Sequence, residues 1–517
     1  MRRLALVLAA GTLLAYPVHA LSAGAKPAEA SEAAKAPEVD RVEASAVESA
    51  HPVARSIPFH GGTLAYTVTP GTLTIRNDNG EATGSIFYVA YTVKPSPGAP
   101  PRPVSFLFNG GPGSSSMWLH LGSFGPLKIQ MNTADHLPAA PIRLAPNPDT
   151  LLDKSDLVFI DAPTTGLSRP LGKTEPKAFF GVDADLDAFS RAIQRYLTVY
   201  GRWDSPKFLI GESYGTLRSA GLANLLDEKG VQLNGVALVS TTLNIGLLFQ
   251  PNDQGYIAMT PTMAAAAWYH NRLANRPADL AAYLAEVRAF AAGPYAAALA
   301  KGHRISATER DQVAGKLAGY LGVSPQFVIE NNLRVDPDRF RKELLRAQRK
   351  TVGRLDARFL GQDSDAGGEG TDYDPTDAAM TGAWVGTIND YLFRDLGFET
   401  KLTYRPNNYA GSQGEDGWNW RHRAGRFGGQ LSADTSVDLA DAMRRNPHLK
   451  VLNIAGYYDM ATPFFGAEYD LTHMAIDTDR QANLSYKYYP SGHMVYIEPD
   501  SAKQLRLDIE AWMDASR

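Results

Sequence analysis

Phe208 to Leu217 reads FLIGESYGTL, an apolar run that ends in Gly-Glu-Ser-Tyr-Gly and continues with helical spacing. A serine between two glycines at such a junction has the makings of a nucleophile. Gly211 and Gly215 permit a sharp strand-to-helix turn, which raises the Ser213 hydroxyl above a sheet at a helix N-terminus, where developing negative charge is favoured. A hydroxyl is a weak nucleophile until a base takes its proton, and the base needs an acid to orient it. In a sheet of this kind acid and base follow the serine in chain order, each on a loop after a later strand. Asp459 follows VLNIAGYY, and His493 sits in PSGHMVY directly behind LSYKYY. TPFFGAEYDLTHMA between them reads as a helix, so both loops are expected to open at the sheet edge that carries Ser213.

The chain has 11 histidines, and the others fit the role of base less well. His51 and His60 precede the sheet, His19 lies in the N-terminal apolar run, and His270, His303 and His422 fall in an Ala-rich helical stretch. His136, His448 and His473 follow no convincing strand, while His120 lies near a glycine-rich loop and could face a cleft. Among the acids Asp161 ends a strand but precedes the serine, and Asp470 reads as a helix-surface carboxylate.

Acyl transfer passes through a tetrahedral oxyanion, so amide donors must be found for it. FNGGPGSSSMW, Phe108 to Trp118, places three glycines and a proline behind the strand-like VSFLF. A loop with so little side chain lets its amides approach a substrate carbonyl closely. One donor is expected from this loop, and the other from Tyr214, the residue after the nucleophile.

The elements that must carry these residues can be read from periodicity. Short, mostly apolar runs at 104–108, 156–161, 207–211 and 235–240 alternate with helical patterns at 183–200 and from about Thr216. Strands with apolar residues on both faces, separated by amphipathic helices, define an α/β class with a mostly parallel sheet covered on both faces. Residues 56–95 instead alternate β-branched and aromatic runs with Gly, Asn and Asp, the pattern of antiparallel hairpins. The first part of the core is thus expected at 56–244, an inserted helical cap at 245–420, and the second part of the core at 421–517. Within the cap, RFRKELLRAQRKTVGR reads as a solvated helix face, with gripping of acidic peptides as the alternative.

MRRLALVLAAGTLLAYPVHA has the layout of a secretory signal peptide (1–20) with cleavage after Ala20, which predicts a periplasmic or secreted protein without a membrane anchor. Residues 21–55 are rich in Ala, Glu, Pro and Ser and read as a disordered leader. A net charge of −4 argues against nucleic acid as the main partner and leaves peptides open. The absence of cysteine excludes disulfides, and no metal or nucleotide cofactor motif is present.

NGGPGSSSMW with GSFGP behind it, NPDTLLDKSDLVFIDAPTTGLS, GESYG, the aspartate of IAGYYDMATP and the histidine of SGHMVY together resemble the serine carboxypeptidases of the α/β-hydrolase fold. The resemblance implies an exopeptidase that removes C-terminal residues through an acyl-enzyme. Ser213 would attack, His493 shuttle the proton and Asp459 orient the ring, with Gly111 and Tyr214 as the oxyanion amides. It also implies that Asn109 and Glu212 bind the substrate's terminal carboxylate, which Glu212 can do only when protonated. Leu107 stands where the family usually has Trp, Ser114 where it has Cys, and Ser123 where it has Glu. An esterase or acyltransferase using the same residues is the alternative expectation.

Overall fold

The computed structural model describes residues 43–130, 141–249, 252–412, 417–425 and 428–517. The expected signal peptide, the leader as far as residue 42, and His136 lie outside them.

Among the described residues the main sheet has eleven strands. In chain order they are β1 Ser49–Ala50, β2 Val53–Phe59, β3 Gly62–Arg76, β4 Ala82–Thr92, β5 Val104–Phe108, β6 Asp156–Ile160, β7 Arg169–Pro170, β8 Lys207–Glu212, β9 Gly235–Val239, β10 Lys450–Gly456 and β11 Leu484–Tyr489. The spatial order is β1-β3-β4-β6-β5-β8-β9-β10-β11, with β2 paired to β3 and β7 to β4. Along the path from β6 through β5 to β11 every pairing is parallel, while β1 to β4 pair antiparallel among themselves and β4 meets β6 and β7 antiparallel. The mostly parallel sheet with an antiparallel N-terminal segment is what the periodicity predicts, and its arrangement is the α/β-hydrolase fold that the resemblance implies.

The central strands carry apolar side chains on both faces because each side faces a different packed layer. Phe106, Phe108, Leu209 and Leu238 join a cluster beneath α1 Val182–Val199 and α2 Tyr214–Glu228. Their neighbours Leu107, Ile210 and Val239 point the other way, as the two-residue repeat of a strand requires, into a second cluster. α1 shows the matching helical spacing, burying Leu186, Phe189, Ile193 and Tyr196 along one stripe. Each such side chain contributes roughly 1.5–3 kcal/mol by leaving water.

A third cluster holds the cap together, built from α3 Asp253–Tyr269, α4 Leu280–Phe290 and α5 Ala307–Leu321. Two expected boundaries differ from the packing. Pairing starts at Ser49, within the stretch read as leader, because Ser49 and Ala50 add to the edge of β3 opposite Thr72 and Gly71. The stretch read as cap up to residue 420 also includes α6 Pro375–Asn389, whose Met380, Trp384 and Ile388 pack into the second sheet cluster instead. α7 Ser436–Arg445, α8 Phe464–Thr472 and α9 Pro499–Asp514 complete the core.

Strand order places the chemistry. From β5 the chain crosses to β6 on one side and then returns to β8 on the other, so the order reverses between β5 and β8. Outside the carboxyl ends of strands at such a reversal lies the crevice in which α/β sheets bind ligands. The glycine-rich loop leaves β5 at that point, and Ser213 follows β8.

Candidate active site

Ser213 occupies the turn from β8 into α2 with φ 61° and ψ −130°. A serine at positive φ costs about 1–3 kcal/mol, which the surroundings must offset. Here the Ser213 amide donates to the Val239 carbonyl at 2.9 Å, and the Ser213 carbonyl accepts the Thr216 amide at 2.8 Å and its hydroxyl at 2.7 Å. Gly211 is dictated by the tightness of the turn, since a Cβ there would lie 2.1 Å from the Gly215 carbonyl oxygen.

The loop after β5 packs directly against this turn. A Cβ on Gly110 would sit 2.4 Å from the Tyr214 amide nitrogen. Gly111 and Tyr214 therefore share one rim, and among the described residues neither amide has a protein acceptor. Asn109 is gripped from two sides: its carbonyl accepts from Arg218 Nη1 at 2.7 Å and its Oδ1 from the Leu119 amide at 2.9 Å. Asp161 steadies the same loop by accepting the Ser116 amide at 2.8 Å. That contact gives Asp161 a loop-holding role.

His493 and Asp459 come together as chain order predicts. His493 Nδ1 lies 2.7 Å from Asp459 Oδ2, and both side chains are buried. The carboxylate is itself fixed, with Oδ1 accepting the Ala461 and Thr462 amides at 2.8 and 3.0 Å and Oδ2 the Thr462 hydroxyl at 2.7 Å. Burial alone would disfavour the imidazolium, but the Asp459 charge and hydrogen bond outweigh it, so the His493 pKa is raised, with Glu212 adding to the effect and Arg354 opposing it. Ser213 and His493 line one cavity of about 790 Å³ with Gly111, Tyr214, Asn109 and Glu212. Among the described residues no hydrogen bond joins the serine hydroxyl to the ring.

Glu212 is buried next to Ser213 in the chain. Desolvation pushes its carboxyl up to about 7, against the pull of His493, of the Tyr496 hydroxyl donating at 2.6 Å and of Asn109. Neither Leu107 nor Ser123, two of the positions that depart from the family's pattern, lines the cavity. Leu107 is buried in the second sheet cluster, and Ser123 bends back to donate to the Leu119 carbonyl at 2.5 Å.

The rival residues are accounted for elsewhere. His120 is buried against Phe159 with Nε2 on the Tyr91 hydroxyl at 2.6 Å, and desolvation lowers its pKa to about 3. It faces the core because residues 117–124 fold down onto the sheet, and not the cleft that its place in the sequence suggested. Asp470 is buried too, accepting the Leu243 and Asn244 amides at 3.3 and 3.2 Å, where a surface carboxylate was expected. His422 is clamped between Asp183 at 2.6 Å and Asp438 at 2.7 Å, beside a larger hollow of about 1550 Å³. The charges around that hollow largely pair with one another, as in Arg191 with Asp78 and Arg195 with Glu48. His270 contacts the Ala357 carbonyl, and His51, His60, His303, His448 and His473 are exposed.

Sequence reasoning missed four side chains around the cavity and its supports. Tyr496 and Thr462 each lie three residues beyond a site residue, a spacing that could have flagged them as local hydrogen-bond partners. Arg218 carried no signal, being an arginine at a position whose burial is set by α1. The fourth is Arg354, which ends the basic segment expected to be a solvated helix face. That segment differs from the expectation: Arg341 and Lys342 are buried, bonding the Val352 carbonyl and Asp363, while Arg354 lines the cavity.

The sheet order, the turn at Ser213 and the Asp459–His493 pair define the class as an α/β-hydrolase. Residues 69–269 match the family model for the serine carboxypeptidases, so the resemblance read from the motifs is shown over that segment. No curated protein matches the chain. Among solved structures, a prohormone-processing carboxypeptidase from Saccharomyces cerevisiae is similar in fold, with TM-score 0.53 and 15% identity over 87% of this chain and 91% of its own. A proline iminopeptidase from Mycobacterium smegmatis aligns with TM-score 0.37 and 14% identity over 86% of this chain and 98% of its own.

Proposed function

We propose that the protein is a serine-type carboxypeptidase acting on peptides. The observation that carries this reading is that His493, hydrogen-bonded to the buried Asp459, lines the same cavity as Ser213, with Glu212 and Asn109 alongside. Asp459 holds Nδ1, which leaves Nε2 to take the Ser213 proton as Oγ attacks the scissile carbonyl carbon. The oxyanion forms toward the Gly111 and Tyr214 amides. Collapse breaks the C–N bond as His493 returns the proton to the leaving amine, and water then attacks the acyl-enzyme by the same route. Neutral Glu212 and Asn109 hold the terminal carboxylate of the departing residue.

Burial of Leu107 and the inward turn of Ser123 favour a second reading, an esterase or acyltransferase with the same nucleophile. A blocked dipeptide, its C-terminal amide and a short-chain ester separate the two. Turnover of the free acid above the amide supports the carboxypeptidase, and turnover of the ester alone supports the second reading. Residues 1–20 support export to the periplasm or beyond, which N-terminal sequencing of protein recovered from the cell exterior tests by a start at Leu21.

A further inference from the structure

We propose that Arg354 is the specificity-determining cation of the cleft and receives a carboxylate of the peptide substrate. The inference rests on the peptidase reading above and adds to it a group outside the family's motifs. Arg354 lines the cavity that holds Ser213, His493 and Glu212. Its backbone is fastened to both catalytic loops: the Arg354 carbonyl accepts the Met460 amide at 3.0 Å, directly after Asp459, and the Leu355 carbonyl accepts the His493 amide at 2.7 Å. Asp374 completes the anchorage by accepting the Arg354 and Leu355 amides at 3.0 and 3.1 Å. The position of this side chain is therefore tied to that of the base.

Its guanidinium differs from those nearby. Arg341, Arg346 and Arg358 each bond a carboxylate or a carbonyl, as buried and half-buried arginines do. Among the described residues the Arg354 guanidinium has no such partner, although three carboxyl groups share the cavity wall. Glu212 accepts the Tyr496 hydroxyl at 2.6 Å. Asp374 is occupied by backbone amides, and Asp377 accepts the Thr381 hydroxyl at 2.9 Å. The charge of Arg354 is nevertheless felt by the site, since it opposes protonation of His493 and acts on the Tyr409 phenol across the cavity. A partly buried, unneutralised guanidinium with a planar fork of donors suits a carboxylate better than any neutral group. Two sources offer one: the α-carboxylate of the C-terminal residue, or the side chain of an acidic residue.

Paired substrates distinguish these sources. kcat/KM is measured for a blocked dipeptide as free acid and as amide, and for free acids ending in Glu and in Gln, using wild type, Arg354→Gln and Arg354→Lys. Folding is checked by thermal melting, and the nucleophile by fluorophosphonate labelling of Ser213. Arg354→Gln is expected to shrink one carboxylate-over-neutral ratio at least tenfold, chiefly through KM, with Arg354→Lys restoring part of it. Collapse of the acid-to-amide ratio assigns the α-carboxylate, and collapse of the Glu-to-Gln ratio assigns the side chain. Both ratios intact in a folded, labelled Arg354→Gln overturn the role of Arg354 alone. A wild type that cleaves none of the peptides overturns the peptidase reading, and this role with it.

Discussion

Arg218 Nη1 lies 2.7 Å from the carbonyl oxygen of Asn109, so the helix that follows the nucleophile holds the loop expected to bind the oxyanion. The same guanidinium is fully buried, meets Asp185 through Nε at 2.7 Å and Nη2 at 3.0 Å, and stacks 4.0 Å from the Phe189 ring. One side chain thereby joins α1, α2 and the glycine-rich loop.

Removing one partner of such a pair leaves an uncompensated buried charge. Arg218→Met is expected to cost about 3–5 kcal/mol in urea unfolding. Arg218→Met combined with Asp185→Asn should recover much of that stability but not the activity, because the Asn109 carbonyl still lacks its donor. Full activity in the double variant would separate the loop from Arg218.

Glu212 and His493 set opposite limits on pH. The Glu212 carboxyl, raised to about 7, is neutral below that pH and able to donate to a substrate carboxylate, while His493 must lose its proton to act as base. Hydrolysis of free-acid peptides should therefore follow a narrow bell whose alkaline limb falls as pH rises through about 7. An ester without a carboxylate should show only the acid limb, and Glu212→Gln should remove the alkaline limb for peptides. A peptide profile still rising at pH about 8 contradicts the role given to Glu212.

Asp459 has two tasks that one substitution separates. Asparagine keeps an oxygen for the Ala461 and Thr462 amides but cannot stabilise the imidazolium. Asp459→Asn is expected to lower kcat about 10⁴-fold with little change in melting temperature. A loss in proportion to stability alone would assign the residue a structural role.

His422 makes a different kind of pH dependence. Burial opposes its charge, but hydrogen bonds to Asp183 and Asp438 prevail and raise it from 6.5 to about 9. The stability it contributes is fully present below pH 6.5 and is lost as pH rises through about 9. His422→Gln should destabilise by on the order of 1–3 kcal/mol at pH about 6 and by little at pH about 10. Equal losses at both ends of that range would mean that the imidazole packs as a neutral ring.

The parts that were legible in the sequence are those governed by local rules. Phe208 to Leu217 carries its own strand, turn and helix signals, so Ser213 could be placed without knowing the rest of the fold. Asp459 and His493 were legible because parallel strands order the loops along one edge, and β10 and β11 are parallel neighbours. Arg354 was hidden for the opposite reason. Its place depends on its own backbone bond to Met460 and that of Leu355 to His493, each more than a hundred residues away in the chain, and a run of basic residues gives no sign of them. His120 misled because proximity in sequence to the glycine-rich loop says nothing about which face of the sheet the chain covers next. Trp384 belongs to the sheet for a similar reason: its helix reads like the Ala-rich cap before it, and only packing shows where it goes.

The most direct measurement is mass-spectrometric mapping of a fluorophosphonate adduct on the wild type and on His493→Ala. A single adduct on Ser213, formed rapidly by the wild type and at least about a thousandfold more slowly by the variant, is the predicted result. An adduct on another serine, or equal labelling of both proteins, would contradict an acyl-transfer centre built from Ser213 and the Asp459–His493 pair.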